Sequence, residues 1–353
     1  MGFGIPHDVP IVDVMRRILV LACLAVSCLL AGTAAAGESA SRSWAAPEIR
    51  AVVGAGLMAP SVADFRPDEL LTQGELAVVL AVLGMSTAFV SDLDRPVTIR
   101  ELDAQLVTAV GLRTEARALR LAALDSGLAP RQWLGTETVA RMLGLRVNHL
   151  RGQEELELQV AQPATRAEAA YSVARVLALS DLELDAVREA VAAFAISELT
   201  AWEQLVLRRA LRFVGSPYVW AGTSEKPQQL FGKRLPGGFD CSGLVWRVFK
   251  LEPFAGAPEV AATLKGRTSY DMSGEVAAPA RIPHARLQPA DVVFFGSRGP
   301  SSKPTEVGHM GIYLGNGWMV HSSDRGTTLV PMTGWYETRF AWGRRPLAEA
   351  GLS

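Results

Sequence analysis

Along residues 45–195 the apolar positions recur at helical spacing, whereas from residue 287 onward they alternate or run together as they do in strands. Trp44 to Gly56 and Leu76 to Leu83 predict two helices, separated by the turn-like run Ala63-Asp64-Phe65-Arg66-Pro67-Asp68. Thr72 and Glu75 stand three apart at the start of the second helix. That is the spacing of a capping box, in which each side chain satisfies a backbone N–H of the first turn. The same spacing recurs at Thr98/Glu101, Thr165/Glu168 and Thr200/Glu203, so a repeated, degenerate helix–turn–helix unit is expected. Thr200 to Val214 predicts an amphipathic helix, with Trp202, Val206, Ala210 and Phe213 on one face and Arg208 and Arg212 on the other. A tight turn at Gly215 to Gly222 and a Pro/Gly-rich loop at 226–238 follow. Phe239 to Phe249 then predicts a helix with Asp240 as its N-cap and Cys241 as its first residue. A turn and a buried strand are expected over Leu287–Phe295, and further strands at Gly308–Gly315, Trp318–His321, Gly326–Met332 and Phe340–Arg345, with Gly315-Asn316-Gly317 as a hairpin turn. Helices first and an antiparallel sheet second make the second half α+β, in a papain-like order, preceded by an all-α repeat region.

The first residues read as a targeting segment. Arg16-Arg17 precedes an apolar run, Ile18 to Leu30, and Ala34-Ala35-Ala36 supplies small residues for cleavage. Residues 1–36 are therefore expected to be a signal peptide, with Met15 a possible true start. An uncleaved anchor is the alternative, and Cys28 fits a lipidation site only loosely. The working protein is expected outside the cytoplasm, secreted or wall-associated.

Of the 353 residues 49% are apolar, enough for a packed core. The net charge of −1 hides an asymmetry: residues 45–200 carry −7 and residues 201–353 carry +6. A basic second half would be drawn to an anionic polymer such as a bacterial wall, or to its own acidic neighbour. Nucleic acid is a poor partner, because the basic residues are scattered.

Beyond the leader the chain holds one cysteine, Cys241, and an exported protein with an unpaired thiol calls for a chemical reason. At a helix start, free N–H groups and the dipole are expected to lower a thiol pKa and to hold an oxyanion. The alternative is a small core cysteine, against which flanking Asp240 and Ser242 argue. A nucleophilic cysteine needs a base. His149 and His284 read as surface residues. His309 opens one strand and His321 closes the next, so a hairpin can set them side by side on one face. The pattern suggests Cys241 as nucleophile, His309 as base and His321 as the group that orients it, with two structural histidines as the alternative. One cysteine and two histidines lack the paired spacing of a zinc site, and no metal or cofactor is expected.

Residues 200–347 resemble the NlpC/P60 cysteine peptidases. The motifs are Gly-Ser-Pro-Tyr-Val-Trp (215–220), Phe-Asp-Cys-Ser-Gly-Leu-Val (239–245), Pro-Ala-Asp-Val-Val-Phe-Phe (289–295), Gly-His-Met-Gly-Ile-Tyr-Leu-Gly (308–315) and Val-His-Ser-Ser (320–323). The resemblance implies a Cys-His-His triad at Cys241, His309 and His321, and a substrate subsite lined by Tyr218, Asp240 and Ser242. It implies cleavage of peptidoglycan stem peptides between γ-linked D-glutamate and a diamino acid. Ala221 and Ala290 stand where the family's turns usually carry glycine, and Met310 where it carries valine. Residues 43–195 resemble S-layer homology modules, best at Trp44 to Leu83 and again at Ala164 to Ala169. Such modules bind secondary cell-wall polymers, although Gln73 replaces the family's arginine. A helical spacer or an inhibitory prodomain packed on the catalytic half is the alternative. Another wall amidase or acyltransferase on the same fold, or a non-catalytic wall-binding protein, are the rival functions.

Overall fold

The computed structural model describes residues 39–84 and 92–352; the expected signal peptide lies outside the described residues. The N-terminal half is helical: α1 (Ala46–Gly54), α2 (Gln73–Val82), α3 (Ile99–Ala109), α4 (Arg113–Asp125), α5 (Leu134–Met142), α6 (Arg166–Ala178) and α7 (Asp181–Ala192). At α2 the capping box is closed, with Glu75 N–H donating to Thr72 Oγ1 at 3.2 Å and Thr72 N–H to Glu75 Oε2 at 2.9 Å. The segments entering α2, α3 and α6 also bond to one another in a ring. Leu71 N–H donates to Ala164 O at 2.9 Å, Ala164 N–H to Val97 O at 2.8 Å, and Val97 N–H to Leu71 O at 2.8 Å. The recurring Thr-x-x-Glu starts thus mark three chain entries that satisfy each other's backbone groups. At Thr165 the box is open. Glu168 N–H still donates to Thr165 Oγ1 at 3.1 Å, but the Glu168 carboxylate lies 3.2 Å from His149 Nε2.

The C-terminal half begins with α8 (Ala201–Leu211) and continues through α9 (Cys241–Phe249), α10 (Glu259–Thr263) and α11 (Ser269–Gly274). A five-stranded antiparallel sheet follows: β1 (Val292–Gly296), β2 (Val307–Gly315), β3 (Trp318–Ser323), β4 (Gly326–Pro331) and β5 (Phe340–Arg344), in the order β4-β3-β2-β1-β5. A short helix, α12 (Trp335–Arg339), interrupts the path from β4 to β5. The chain is therefore α+β. All five residues of β1 are buried, which explains why its sequence is a continuous apolar run rather than an alternating one. The loop expected at 226–238 carries two small ribbons instead, pairing 223–224 with 238–239 and 228–230 with 233–235. Ala221 and Ala290 both take left-handed backbone angles, φ 63° and 67°, which accounts for the glycine expected there.

One apolar core runs through both halves, from Ile49 and Leu134 to Val206, Ile312 and Trp342. A smaller cluster, including Val293, Phe295 and Met319, lies on the other face of the sheet. Guanidinium groups on backbone carbonyls tie the halves together: Arg141 donates to Gly215 O at 2.8 Å and to Arg325 O, and Arg325 donates back to Met142 O at 2.9 Å. Arg141 is itself buried 3.5 Å from Glu137, beside the buried pair Arg146–Asp103 at 3.4 Å. No helix among the described residues is long and apolar enough to cross a membrane.

Candidate active site

The first turn of α9 is built around Asp240. Its Oδ1 accepts from Gly243 N–H at 2.5 Å and from the Ser242 hydroxyl at 3.1 Å, the N-cap arrangement expected from the sequence. Arg267, on the loop before α11, pairs with the Asp240 carboxylate at 3.1 Å and donates to Ser242 Oγ at 2.7 Å. A Cβ at position 243 would fall 1.9 Å from Gly222 O, so only glycine lets the helix press against that turn. Arg267 also donates to Ala221 O at 3.1 Å, which fastens the same turn from the other side.

Cys241 is part-exposed and its thiol is free. Burial of the sulfur and then the Asp240 carboxylate push the thiol up to about 12, against N–H donation from Ser242 and Met310 and the charge of Arg267. The expectation of a lowered pKa is thus corrected. The helix terminus does act in that direction, but its own N-cap is an anion set against the sulfur.

Tyr218 lies in the turn after α8 and is held beside α9 by a parallel bridge to Phe239, where Val219 N–H donates to Phe239 O at 3.2 Å. Its hydroxyl is held well above the usual tyrosine range, first by burial and then by the charges of Cys241 and Asp240. Its backbone is clamped from the N-terminal half: Tyr218 N–H donates to Asn148 Oδ1 at 2.7 Å, and Asn148 Nδ2 donates to Tyr218 O at 3.4 Å.

The two histidines meet across β2 and β3. His321 pairs with Gly311, which places it diagonal to His309 on the same face. A Cβ at position 311 would lie 3.1 Å from His321 Cβ, so the glycine leaves the ring its room. His309 Nε2 lies 2.8 Å from His321 Nδ1. Burial lowers His309 to about 4; burial and the neighbouring His309 hold His321 well below the usual histidine range. Two contacts join the hairpin to α9. The Ser322 hydroxyl donates to Phe239 O at 2.7 Å, and α9 packs directly on β2. The sequence-predicted residues thus fall in two neighbouring groups: Tyr218, Asp240, Cys241 and Ser242 at the start of α9, and His309 and His321 on the β2–β3 hairpin packed against that helix.

Sequence reasoning missed Asn148, Arg267, Trp335 and Tyr336. The Tyr336 hydroxyl is 3.5 Å from His321 Nε2, and its ring packs edge-on against His321 at 5.2 Å. With Phe295, Trp335, Asp324 and the two histidines it lines a cavity of about 700 Å³. Gly334, with φ 59°, is the one local signal of the turn that presents α12 to the histidines. His149, expected at the surface, is buried between Trp44 and Glu168; it fills the gap left by the open capping box. His284 is exposed as expected. Among the described residues no group of three or more His, Cys, Asp or Glu side chains is placed to hold a metal ion.

The family model NlpC/P60 matches residues 215–345, which contain every one of these C-terminal motifs. The likeness to that family is thus confined to residues 215–345 of the chain. The S-layer homology domain model matches residues 39–77, covering α1 and the entry to α2. The NlpC/P60 segment is 36% identical over 129 residues to a probable endopeptidase of Mycobacterium tuberculosis, covering 36% of this chain and 26% of that protein. It is 32% identical over 124 residues to a bifunctional muramidase/DL-endopeptidase of Bacillus subtilis, covering 35% and 30%. It is 30% identical over 139 residues to a gamma-D-glutamyl-L-lysine dipeptidyl-peptidase of Bacillus cereus, covering 38% and 34%. The chain thus spans about a quarter to a third of the curated relatives it matches. A solved NlpC/P60 family protein from Bacillus cereus is 26% identical, covers 44% of this chain and 43% of its own, and superposes with a TM-score of 0.31.

Proposed function

We propose that this chain is a cysteine endopeptidase that hydrolyses peptidoglycan stem peptides at the bond between γ-linked D-glutamate and a diamino acid. The observation that carries this reading is the 2.8 Å contact between His309 and His321 on the hairpin packed against the helix that starts at Cys241. For His309 to take a proton at Nδ1, its Nε2 carries hydrogen and donates to His321 Nδ1. His321 then holds its own hydrogen on Nε2, facing the Tyr336 oxygen. Both imidazoles are neutral at rest, because burial lowers both pKa values, and so is the thiol.

Attack is therefore coupled to proton transfer. The Cys241 sulfur bonds to the scissile carbonyl carbon as its proton passes to His309. The oxyanion is met by the Cys241 N–H at the start of α9 and by the Tyr218 hydroxyl. His309 returns the proton to the leaving amine, which departs as the C–N bond breaks and the thioester forms. Water activated by the same imidazole then cleaves the C–S bond and restores the thiol. His321 orients the base and stabilises its cationic form. Tyr218, Asp240 and Ser242 line the acyl-side subsite, and no metal enters the reaction.

The module at residues 39–77 supports an extracytoplasmic enzyme held at the wall through a secondary polymer. The relatives described as endopeptidases support the substrate class. Mass spectrometry of muropeptides incubated with the full chain and with Cys241→Ala tests the proposal. The expected result is a product pair split after D-glutamate, absent with the variant. A cut between the lactyl group and L-alanine would make the chain an amidase; no cut at all would favour a binding protein.

A further inference from the structure

The helical half does more than neighbour the cleft. The loop after α5 runs Asn148-His149-Leu150-Arg151 directly alongside Tyr218-Val219-Trp220. Asn148 fixes the Tyr218 peptide from both sides, accepting from its N–H at 2.7 Å and donating to its carbonyl at 3.4 Å. Three residues further, the Arg151 guanidinium stands 4.2 Å from the centre of the Trp220 ring. Arg151 is exposed, Trp220 is 39% exposed, and among the described residues no carboxylate pairs with Arg151. The other arginines of this neighbourhood are engaged: Arg141 with Glu137, Arg146 with Asp103, Arg267 with Asp240. Arg151 is thus a cation held in place by a ring rather than by an anion. Its charge also reaches the Tyr218 hydroxyl, which it favours in the ionised form.

We infer that the N-terminal half completes the acyl-side subsite, with Arg151, seated on Trp220, binding the free α-carboxylate of the γ-linked glutamyl residue. This inference rests on the proposed endopeptidase reading. A γ-linked glutamate attacked at its side-chain carbonyl keeps its α-carboxylate a few atoms from the scissile bond. A cation on the Tyr218 side of the cleft can meet a carboxylate in that position. A planar guanidinium can take both carboxylate oxygens at once. The ring beneath Arg151 limits its rotamers, so less freedom is lost on binding. Asn148 is a positioning residue that keeps Tyr218 and Trp220 in register with the loop.

The test uses the full chain and two muropeptide substrates, one with the free glutamate α-carboxylate and one with that group amidated. Arg151→Ala is expected to lower kcat/KM about tenfold on the free acid, the scale of a charge-assisted hydrogen bond, and clearly less on the amidated substrate, whose carbonyl accepts from the guanidinium without the charge. Arg151→Lys is expected to recover part of the loss, and added salt to narrow the gap between the two substrates. Equal effects on both substrates, or none on either, would overturn the inference while the wild-type chain still cleaves. Failure of the wild-type chain to cleave either substrate would instead overturn the endopeptidase reading. For Asn148, Asn148→Asp keeps the acceptor for the Tyr218 N–H and Asn148→Leu removes it. A loss of kcat in the leucine variant that the aspartate variant restores in part is expected. Equal losses in both, with the far-ultraviolet spectrum unchanged, would contradict the positioning role.

Discussion

A resting neutral thiol has a direct kinetic consequence. With the Cys241 thiol at about 12 rather than 9.0, its thiolate fraction near pH 7 is about 1,000-fold lower than that of an ordinary cysteine. Higher basicity makes the remaining thiolate more nucleophilic, which over three pH units returns about 20-fold. The folded chain should then alkylate with iodoacetamide about 50-fold more slowly at Cys241 than the urea-unfolded chain at the same pH. The rate is read from the Cys241 peptide by mass spectrometry. In the folded protein it should rise about tenfold per pH unit up to pH 10 without levelling, whereas the unfolded chain levels off near its ordinary value. Asp240→Asn removes the anion beside the sulfur and should speed alkylation of the folded chain. Faster alkylation folded than unfolded at pH 7, or a plateau below pH 8, would refute the argument and establish a thiolate–imidazolium pair at rest.

Further outcomes follow from the same geometry. His321→Gln should lower kcat about 100-fold with little change in KM, because the base loses its partner while the subsite is untouched; steady-state kinetics on a defined muropeptide reads this. His309 is neutral when folded and about 4 against an ordinary 6.5, so the unfolded chain takes up its proton first as pH falls. Stability is therefore present above pH 6.5 and lost progressively down to about pH 4, by up to about 3 kcal/mol. Glu157, at about 7 rather than 4.5, works in the opposite sense over an overlapping range. Urea titrations of wild type and His309→Gln at pH 7 and pH 4 isolate the histidine, and the variant should gain on wild type at the lower pH. Arg141→Met leaves Glu137 buried without its cation and frees Gly215 O, and should cost about 3–5 kcal/mol by the same titration. Ala221→Gly relieves a left-handed alanine and should raise stability by up to about 1 kcal/mol; at Ala290 the loss of a buried methyl offsets the same gain.

The local patterns carried much of the fold because each encodes a backbone need. Thr-x-x-Glu marks chain entries whose N–H groups must be satisfied, and the alternation around Gly315-Asn316-Gly317 fixes a hairpin that brings His309 to His321. Asp240 and Gly243 announce a helix start pressed against a turn. What stayed hidden was set by long-range packing. Nothing near Asn148 or Arg267 in sequence shows that they reach Tyr218 and Asp240, and Tyr336 gains its meaning only when α12 folds over the sheet. His149 was misjudged because its short polar neighbourhood gives no sign of Trp44 and Glu168 closing around it. The thiol was misjudged because the fold buries the sulfur and because the residue that caps the helix is an anion set against it.

The central claim is that Cys241 carries the acyl group. Intact-protein mass spectrometry of the full chain, quenched in acid within the first turnovers on a muropeptide substrate, tests it most directly. The account predicts an added mass equal to the glutamyl-terminated fragment, located on the Cys241 peptide, absent in Cys241→Ala and long-lived in no later sample. Cleavage without any adduct, together with activity retained in Cys241→Ala, would contradict it.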